Sequence, residues 1–283
     1  MIEKKAWAKI NIFLDVLAKR TDGFHDVDMI MTPLMLHDLL NFSIIETPKI
    51  ILELENFSEP ITINDNLVYK AAILLQQTYN VSQGAKIILT KNIPVAAGMA
   101  GGSSDAAATL QGLNELWQLN LSVEELLPLA ANLGSDVPYC LYHQTLRAQG
   151  TGTKLTKVSS MPQCQVVLLK PLEYGISTAF AYKQLSTALM PHYSIDLMLS
   201  ALSAQNLPAI TEAMGNTFEK TTYLRHPKLL VAKKFLEKSV GPTLLSGSGP
   251  TLFAIALKPQ NLAKVRLYAK ENGYQCIITE TKK

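Results

Sequence analysis

Three glycines and two serines fall within seven residues in the stretch Gly98-Met99-Ala100-Gly101-Gly102-Ser103-Ser104, and that density suits the cradling of a phosphate chain. Glycine leaves backbone N–H groups uncovered, and a helix N-terminus points unpaired N–H groups outward with the positive end of its dipole behind them. Ahead of the loop, Lys86 to Thr90 reads as a strand. Beyond it, Ala106, Leu110, Leu113 and Trp117 recur at three and four residues, which lays one apolar stripe along a helix. Ser103 or Ser104 stands where an N-cap is expected, and Asp105 falls in the first turn, where a carboxylate suits the dipole. The spacing GxxGG excludes two other phosphate loops, since no Gly-Lys-Ser/Thr closes it and it is not GxGxxG. A tight turn capping a helix needs fewer small residues than are present, so the stretch reads as a polyphosphate site.

Other polar residues stand where chemistry is plausible. Residues 6–18 alternate roughly between apolar and polar and are rich in β-formers, so Lys9 and Asn11 share one face of a predicted strand and Ile10 and Ile12 the other. A solvated strand face would account for that pair as readily as a site. Lys19-Arg20-Thr21-Asp22-Gly23 reads as a hairpin-type turn leading into Phe24-His25 and a second strand to Leu36. Asp136, in Gly134-Ser135-Asp136-Val137-Pro138, sits where a helix is expected to end and a strand, Tyr139 to Tyr142, to begin. A turn-forming aspartate would also suit that corner. Ser246-Gly247-Ser248-Gly249-Pro250 forms another glycine-rich corner, readable as a flexible hairpin turn.

These residues need a framework of sheets and helices. Strands are expected at residues 39–45 and 50–54, and an amphipathic helix from Asn66 to Tyr79. Another helix runs from Ser122 to Leu133, with Glu125 closing a capping box. After Ser159-Ser160-Met161-Pro162, taken as a linker, come a strand at Gln165 to Leu169 and helices at about 178–189, 194–203, 206–215 and 226–238. Paired strands around Leu244 and at Leu252 to Leu257, a helix from Gln260 to Asn272 and a strand at Gln275 to Thr279 complete the chain. Strand, helices, two strands, helix, strand is the βαββαβ order of a ferredoxin-like domain with inserted helices. The fold class is therefore α+β, with a β-rich domain at 1–158 and a ferredoxin-like domain at 159–283.

At 283 residues, 48% hydrophobic and 17% charged, the chain is long enough for two cores and is neither disordered nor fibrous. Its formal net charge of +3 carries no basic run, so no nucleic-acid partner is expected. Cys140, Cys164 and Cys276 are odd in number and far apart, which suits a reducing cytoplasm and neither a disulfide framework nor a zinc site. Lys9, Asn11 and Asp15 interrupt any secretory apolar core near the amino end, and no run of 18 apolar residues occurs. No membrane partner is expected.

Taken in chain order, Ala8-Lys9-Ile10-Asn11, Arg20-Thr21-Asp22-Gly23-Phe24-His25, the stretch IPVAAGMAGGSSDAA from Ile93, Leu133-Gly134-Ser135-Asp136-Val137-Pro138 and SGSGPT from Ser246 resemble the GHMP kinase superfamily over nearly the whole chain. Within it they are most similar to the branch that phosphorylates an acceptor bearing a cytidine diphosphate group in non-mevalonate isoprenoid synthesis. The resemblance implies a two-domain kinase using ATP, with Mg²⁺ expected alongside it, and with both ligands in the cleft between domains. It implies that Pro94, Val95, Ala96, Ala97, Gly98, Met99, Ala100, Gly101, Gly102, Ser103 and Ser104 wrap the triphosphate. Lys9 and Asp136 map onto the family's lysine and aspartate, Asp136 as proton acceptor and Lys9 as its ionic partner. Asn11, Phe24, His25, Thr178, Tyr182, Gly247, Ser248 and Gly249 correspond to the acceptor site, with Phe24 and Tyr182 as platforms for the base. Phe24 replaces the family's common tyrosine, and Met99-Ala100 replaces its Leu-Gly. Alanine at position 100 is expected to hold a negative φ. The alternatives are a sister kinase for mevalonate, homoserine or a sugar, and a nucleotide-binding module without turnover.

Overall fold

The computed structural model describes residues 1–56, 62–185 and 191–283. In chain order, two long strands, β1 (Ile2–Lys19) and β2 (His25–Ile45), precede β3 (Ile50–Glu55), helix α1 (Leu67–Thr78) and β4 (Gly84–Thr90). Helices α2 (Gly101–Leu116), α3 (Val123–Leu133) and α4 (Val137–Cys140) lead to β5 (Leu146–Gly150) and β6 (Lys154–Lys157). Then come β7 (Gln165–Pro171), α5 (Thr178–Lys183), α6 (Ile195–Ser203), α7 (Leu207–Ala213), β8 (Gly215–Asn216), α8 (Phe218–Arg225) and α9 (Pro227–Ser239). Strands β9 (Thr243–Leu245) and β10 (Leu252–Ile255), helix α10 (Leu262–Glu271) and β11 (Tyr274–Glu280) close the chain.

Two compact units result, and the chain passes through both more than once. The first comprises Met1–Ala8, Leu36–Pro94 and Ala100–His143, the second Lys9–Met35, Val95–Met99 and Gln144–Lys283. In the first unit β4 lies between β2, antiparallel with Leu39 opposite Thr90, and β3, parallel with Ile50 opposite Ala85. Helix α2 lies against this sheet. A Cβ at Gly112 would come within 2.5 Å of the Phe42 ring, so glycine there permits the close approach. The predicted stripe of Ala106, Leu110, Leu113 and Trp117 is buried throughout. Ser122 caps α3 with the expected reciprocal bonds, its hydroxyl taking the Glu125 amide and the Glu125 carboxylate taking the Ser122 amide.

In the second unit β5 pairs with the first half of β2 and with β6, while β8 adds to β1 in parallel, placing Phe13 opposite Gly215 and Leu14 opposite Asn216. A separate four-stranded antiparallel sheet has the order β11-β7-β10-β9. The strands first and third in chain order, β7 and β10, are central, which is the ferredoxin-like arrangement.

The structure corrects several local expectations. Tyr139 to Tyr142 is not a strand: Val137–Cys140 form helix α4, because proline is tolerated in a first helical turn and a four-residue apolar run has no readable period. The strand expected to stop at Leu36 and that at 39–45 are one strand, β2. The hairpin β5–β6, the two-residue β8 and the polar helix α8 were not foreseen. The end of the helix expected at about 178–189 lies outside the described residues.

Candidate active site

The candidate residues fall into two sets, one in each unit. In the first unit α2 begins at Gly101 and its N-cap is Ala100, in the left-handed region at φ +55° with no side-chain cap. Both corrections matter. Ser103 and Ser104 lie inside the helix, and alanine at position 100 bears a left-handed backbone that costs about 1–2 kcal/mol. Ser104 is buried, and its Oγ donates to the Trp7 carbonyl at 2.8 Å, so its hydroxyl is spent on the fold. The uncapped terminus leaves the first helical N–H groups without intrahelical acceptors. In the preceding segment Val95–Met99, which belongs to the second unit, Ala96 and Gly98 have φ of +50° and +74° while Ala97 and Met99 do not share that handedness. Alternating handedness of this kind is the backbone pattern from which anion-binding nests are built. Ala97 and Met99 bury their side chains, so the loop offers backbone and not side chains.

Asp105, expected in a dipole role, is instead buried in an ion cluster. Its Oδ2 accepts from Lys91 Nζ at 2.7 Å, and Lys91 also contacts Asp38. Asp38 Oδ1 in turn accepts the Asn92 and Ile93 amides at 2.5 and 2.7 Å. Burial pushes the Asp105 carboxyl well above the usual carboxylate range, opposed only in part by Lys91. Burial works to discharge Lys91, but the two carboxylates outweigh it and raise its pKa. The cluster ties the chain just before the glycine loop to the helix just after it.

The loop offers a clean test. A Cβ at Gly101 would press on Ile93 Cγ2 at 3.1 Å and Lys91 Nζ at 3.4 Å, whereas at Gly102 it would meet only Leu67 Cδ1 at 3.6 Å. Gly102→Val is therefore expected to weaken binding of an ATP analogue at least about tenfold, since a side chain would cover the amides, with little change in melting temperature. Calorimetric titration that found unchanged affinity would reduce the loop to a turn.

Asp136, half-buried in the same unit, is the N-cap residue of α4, yet its carboxylate makes no capping bond to that helix. Capping does not account for its side chain.

In the second unit Lys9 and Asn11 are both buried, at 4% and 1% exposure, so a solvated strand face is ruled out. Lys9 Nζ donates to Asn11 Oδ1 at 2.8 Å and to the Gly98 carbonyl at 3.2 Å. Ser246 Oγ donates to the same carbonyl at 2.9 Å, and Asn11 Nδ2 to Met29 Sδ at 3.3 Å. A Cβ on Gly98 would collide with the Ser246 carbonyl. One on Gly247 would stand 3.1 Å from the Gly98 carbonyl, 3.4 Å from Asn11 Oδ1 and 3.5 Å from Lys9 Nζ. Both glycines also have positive φ, so the approach of the two corners to Lys9 requires them.

Aromatic groups gather in the same unit. The His25 and Tyr182 rings stack with centroids 5.0 Å apart and 30° between planes, and Tyr182 meets Phe218 edge-on at 4.9 Å. Phe24 is 63% exposed. Burial and the Lys19 ammonium lower the His25 pKa, so its ring is neutral at pH 7 and carries one donor and one acceptor. Thr178 Oγ1 and Ser248 Oγ lie 3.2 Å apart. Sequence reasoning missed Phe218, Asn216 and the Ser246 hydroxyl as members of this cluster. None belongs to a periodic pattern, and only the glycine-rich setting of Ser246 offered a signal.

Residues 66–144 match the family GHMP kinases N terminal domain, and residues 198–275 match GHMP kinases C terminal. The fold and its glycine loop are thus those of a GHMP kinase, an ATP-dependent small-molecule phosphotransferase. The chain is 44% identical over 273 residues to the 4-diphosphocytidyl-2-C-methyl-D-erythritol kinase of Exiguobacterium sibiricum, covering 95% of this chain and 93% of that protein. It is 43% identical over 275 residues to the enzyme of the same name from Bacillus subtilis, covering 96% and 93%. A crystal structure of 4-(cytidine 5'-diphospho)-2C-methyl-D-erythritol kinase superposes with a TM-score of 0.83 at 27% identity over the full length of both chains. The mevalonate kinase of Methanococcus jannaschii, at 13% identity and a TM-score of 0.72 over 100% of this chain and 98% of its own, shares the fold. The chain belongs to the 4-diphosphocytidyl-2-C-methyl-D-erythritol kinase family.

Proposed function

We propose that the protein transfers the γ-phosphoryl group of ATP to the 2-hydroxyl of 4-diphosphocytidyl-2-C-methyl-D-erythritol, a step of the non-mevalonate route to isopentenyl diphosphate. The observation that carries the choice of acceptor is the His25–Tyr182 stack beside exposed Phe24. Flat rings and a neutral imidazole suit a pyrimidine base, whereas mevalonate and homoserine offer nothing to stack.

In this reading the acceptor oxygen attacks the γ-phosphorus, the bond to the β–γ bridging oxygen breaks, and ADP leaves. Asp136 takes the hydroxyl proton. Lys9, oriented by Asn11 and the Gly98 carbonyl, stabilises the negative charge that develops on the acceptor oxygen. The amide end of α2 and the loop Pro94–Ser104 hold the phosphates, and Thr178 with Gly247, Ser248 and Gly249 holds the acceptor. Phosphoryl transfer asks little covalent work of a protein, so positioning and charge neutralisation suffice. Among the described residues no group of three or more His, Cys, Asp or Glu could hold a metal ion. Mg²⁺, expected with ATP, would supply charge neutralisation at the phosphates when bound.

No helix among the described residues is long and apolar enough to cross a membrane, and the three cysteines are free thiols. Free thiols suit the reducing cytoplasm in which this reading places the enzyme.

Phe24→Ala tests the acceptor. Losing one stacking platform is worth about 1–3 kcal/mol. KM for the cytidine compound is expected to rise at least about tenfold while that for ATP stays within about twofold. Methylerythritol without its cytidine diphosphate should be a poor substrate and indifferent to the change. A wild-type preference for mevalonate or homoserine would overturn the named acceptor and leave the fold and chemistry standing.

A further inference from the structure

Asn216, at the end of β8, is wholly buried, and nothing in the mechanism above uses it. Its Nδ2 donates to the Leu245 carbonyl at 2.7 Å and to the Gly247 carbonyl at 2.8 Å, while its Oδ1 accepts the Phe218 amide at 2.9 Å. These partners fix the orientation of the side chain, because two carbonyls need the NH₂ group and an N–H needs the oxygen. Its backbone pairs with Leu14 of β1, the strand that carries Lys9 and Asn11. Glu219, three residues on, accepts the Leu245 amide at 3.0 Å. Its carboxylate is itself held by Lys233 Nζ at 2.7 Å and the Tyr223 hydroxyl at 2.5 Å. Leu245 is therefore gripped at both its N–H and its carbonyl, and Asn216 reaches past it to the glycine that stands against Lys9 and Asn11.

We propose that Asn216 is a positioning residue for acceptor binding: it ties the Ser246–Gly249 corner to β1 and so sets where the corner stands relative to Lys9. The inference rests on the reading above that this corner holds the acceptor. A bond network confined to one buried side chain, with its donors committed to the Leu245 carbonyl just before the corner and the Gly247 carbonyl within it, tolerates little substitution. Serine offers one hydrogen for two carbonyls, alanine none, and glutamine would push the corner outward.

Asn216→Asp is the sharpest probe, since it keeps the shape and sets a carboxylate oxygen against two carbonyl oxygens. At pH 8 it is expected to raise KM for the cytidine acceptor at least about tenfold, with KM for ATP within about twofold. As pH falls, protonation of the new carboxyl restores one donor, so the deficit relative to wild type should shrink. A residue that merely supported the fold would show neither the split between substrates nor the recovery in acid. Gly247→Ala, measured alongside, separates the two ideas. If it leaves acceptor KM unchanged, the corner is not the acceptor site and the reading falls together with the inference. If Gly247→Ala raises acceptor KM and Asn216→Asp does not, the positioning role alone is overturned. Should Asn216→Asp fail to fold by circular dichroism, Asn216→Ser carries the test, with the same selective rise in acceptor KM expected. Failure of both to fold would make Asn216 a structural residue and overturn the proposal.

Discussion

Asp136→Asn is expected to lower kcat by roughly 10²-fold or more while ATP affinity stays within about twofold. Asparagine is nearly isosteric and keeps the polar contacts of an N-cap position, and the native carboxylate makes no capping bond to α4 in any case. The corner at Gly134–Pro138 should therefore fold unchanged, and the lost quantity is the ability to take a proton. A fall in kcat/KM equal to that in kcat would mark an interaction made only in the transition state. Turnover at the wild-type rate would reduce Asp136 to a turn residue.

Lys9→Ala should cost roughly 10²–10³-fold in kcat, the scale seen when one donor to a developing charge is removed. Its buried setting adds a second, separable effect. Asn11 Oδ1 loses its 2.8 Å donor, whereas the Gly98 carbonyl keeps the Ser246 hydroxyl. Leaving one buried acceptor unpaired costs about 1–3 kcal/mol, which lowers the melting temperature by several degrees in a chain of this size. Lys9→Met retains the aliphatic stem and so separates packing from charge. Activity per folded molecule should be lost in both variants. A destabilised protein that kept its turnover would end the assignment.

What could be read from the sequence followed from local rules. The stripe Ala106–Leu110–Leu113 has a helical period and is buried as that period implies. The capping box at Ser122 and Glu125 needs only four residues, and it formed. The ferredoxin-like order survives because it depends on element sequence alone. The failures have a common cause in distance. Lys9 and Asn11 read as one face of a strand, but nothing near them announces that Lys9 Nζ donates to the Gly98 carbonyl, 89 residues away. The cluster of Lys91, Asp38 and Asp105 joins residues 53 and 14 positions apart, and no window along the chain contains it as a pattern. Helix α8, Phe-Glu-Lys-Thr-Thr-Tyr-Leu-Arg, has too little apolar periodicity to announce itself. Ala100 shows the limit of propensity: alanine favours the right-handed helix, and the tertiary setting overrode it.

The parallel pairing of β8 with β1 bears on how the molecule is made. A ribosome releases β1 first, yet one edge of that strand receives Gly215 and Asn216, and the chain supplies them only after His143, the last residue of the first unit, is long out. At roughly 5–20 residues per second the interval from His143 to Asn216 lasts about 4–15 s. During it Phe13 and Leu14, both buried in the finished protein, lack their β8 partners, and an unpaired strand edge is a surface on which a neighbouring nascent chain can pair. The strand that bears Lys9 is thus made well before the two residues that complete its pairing at Phe13 and Leu14.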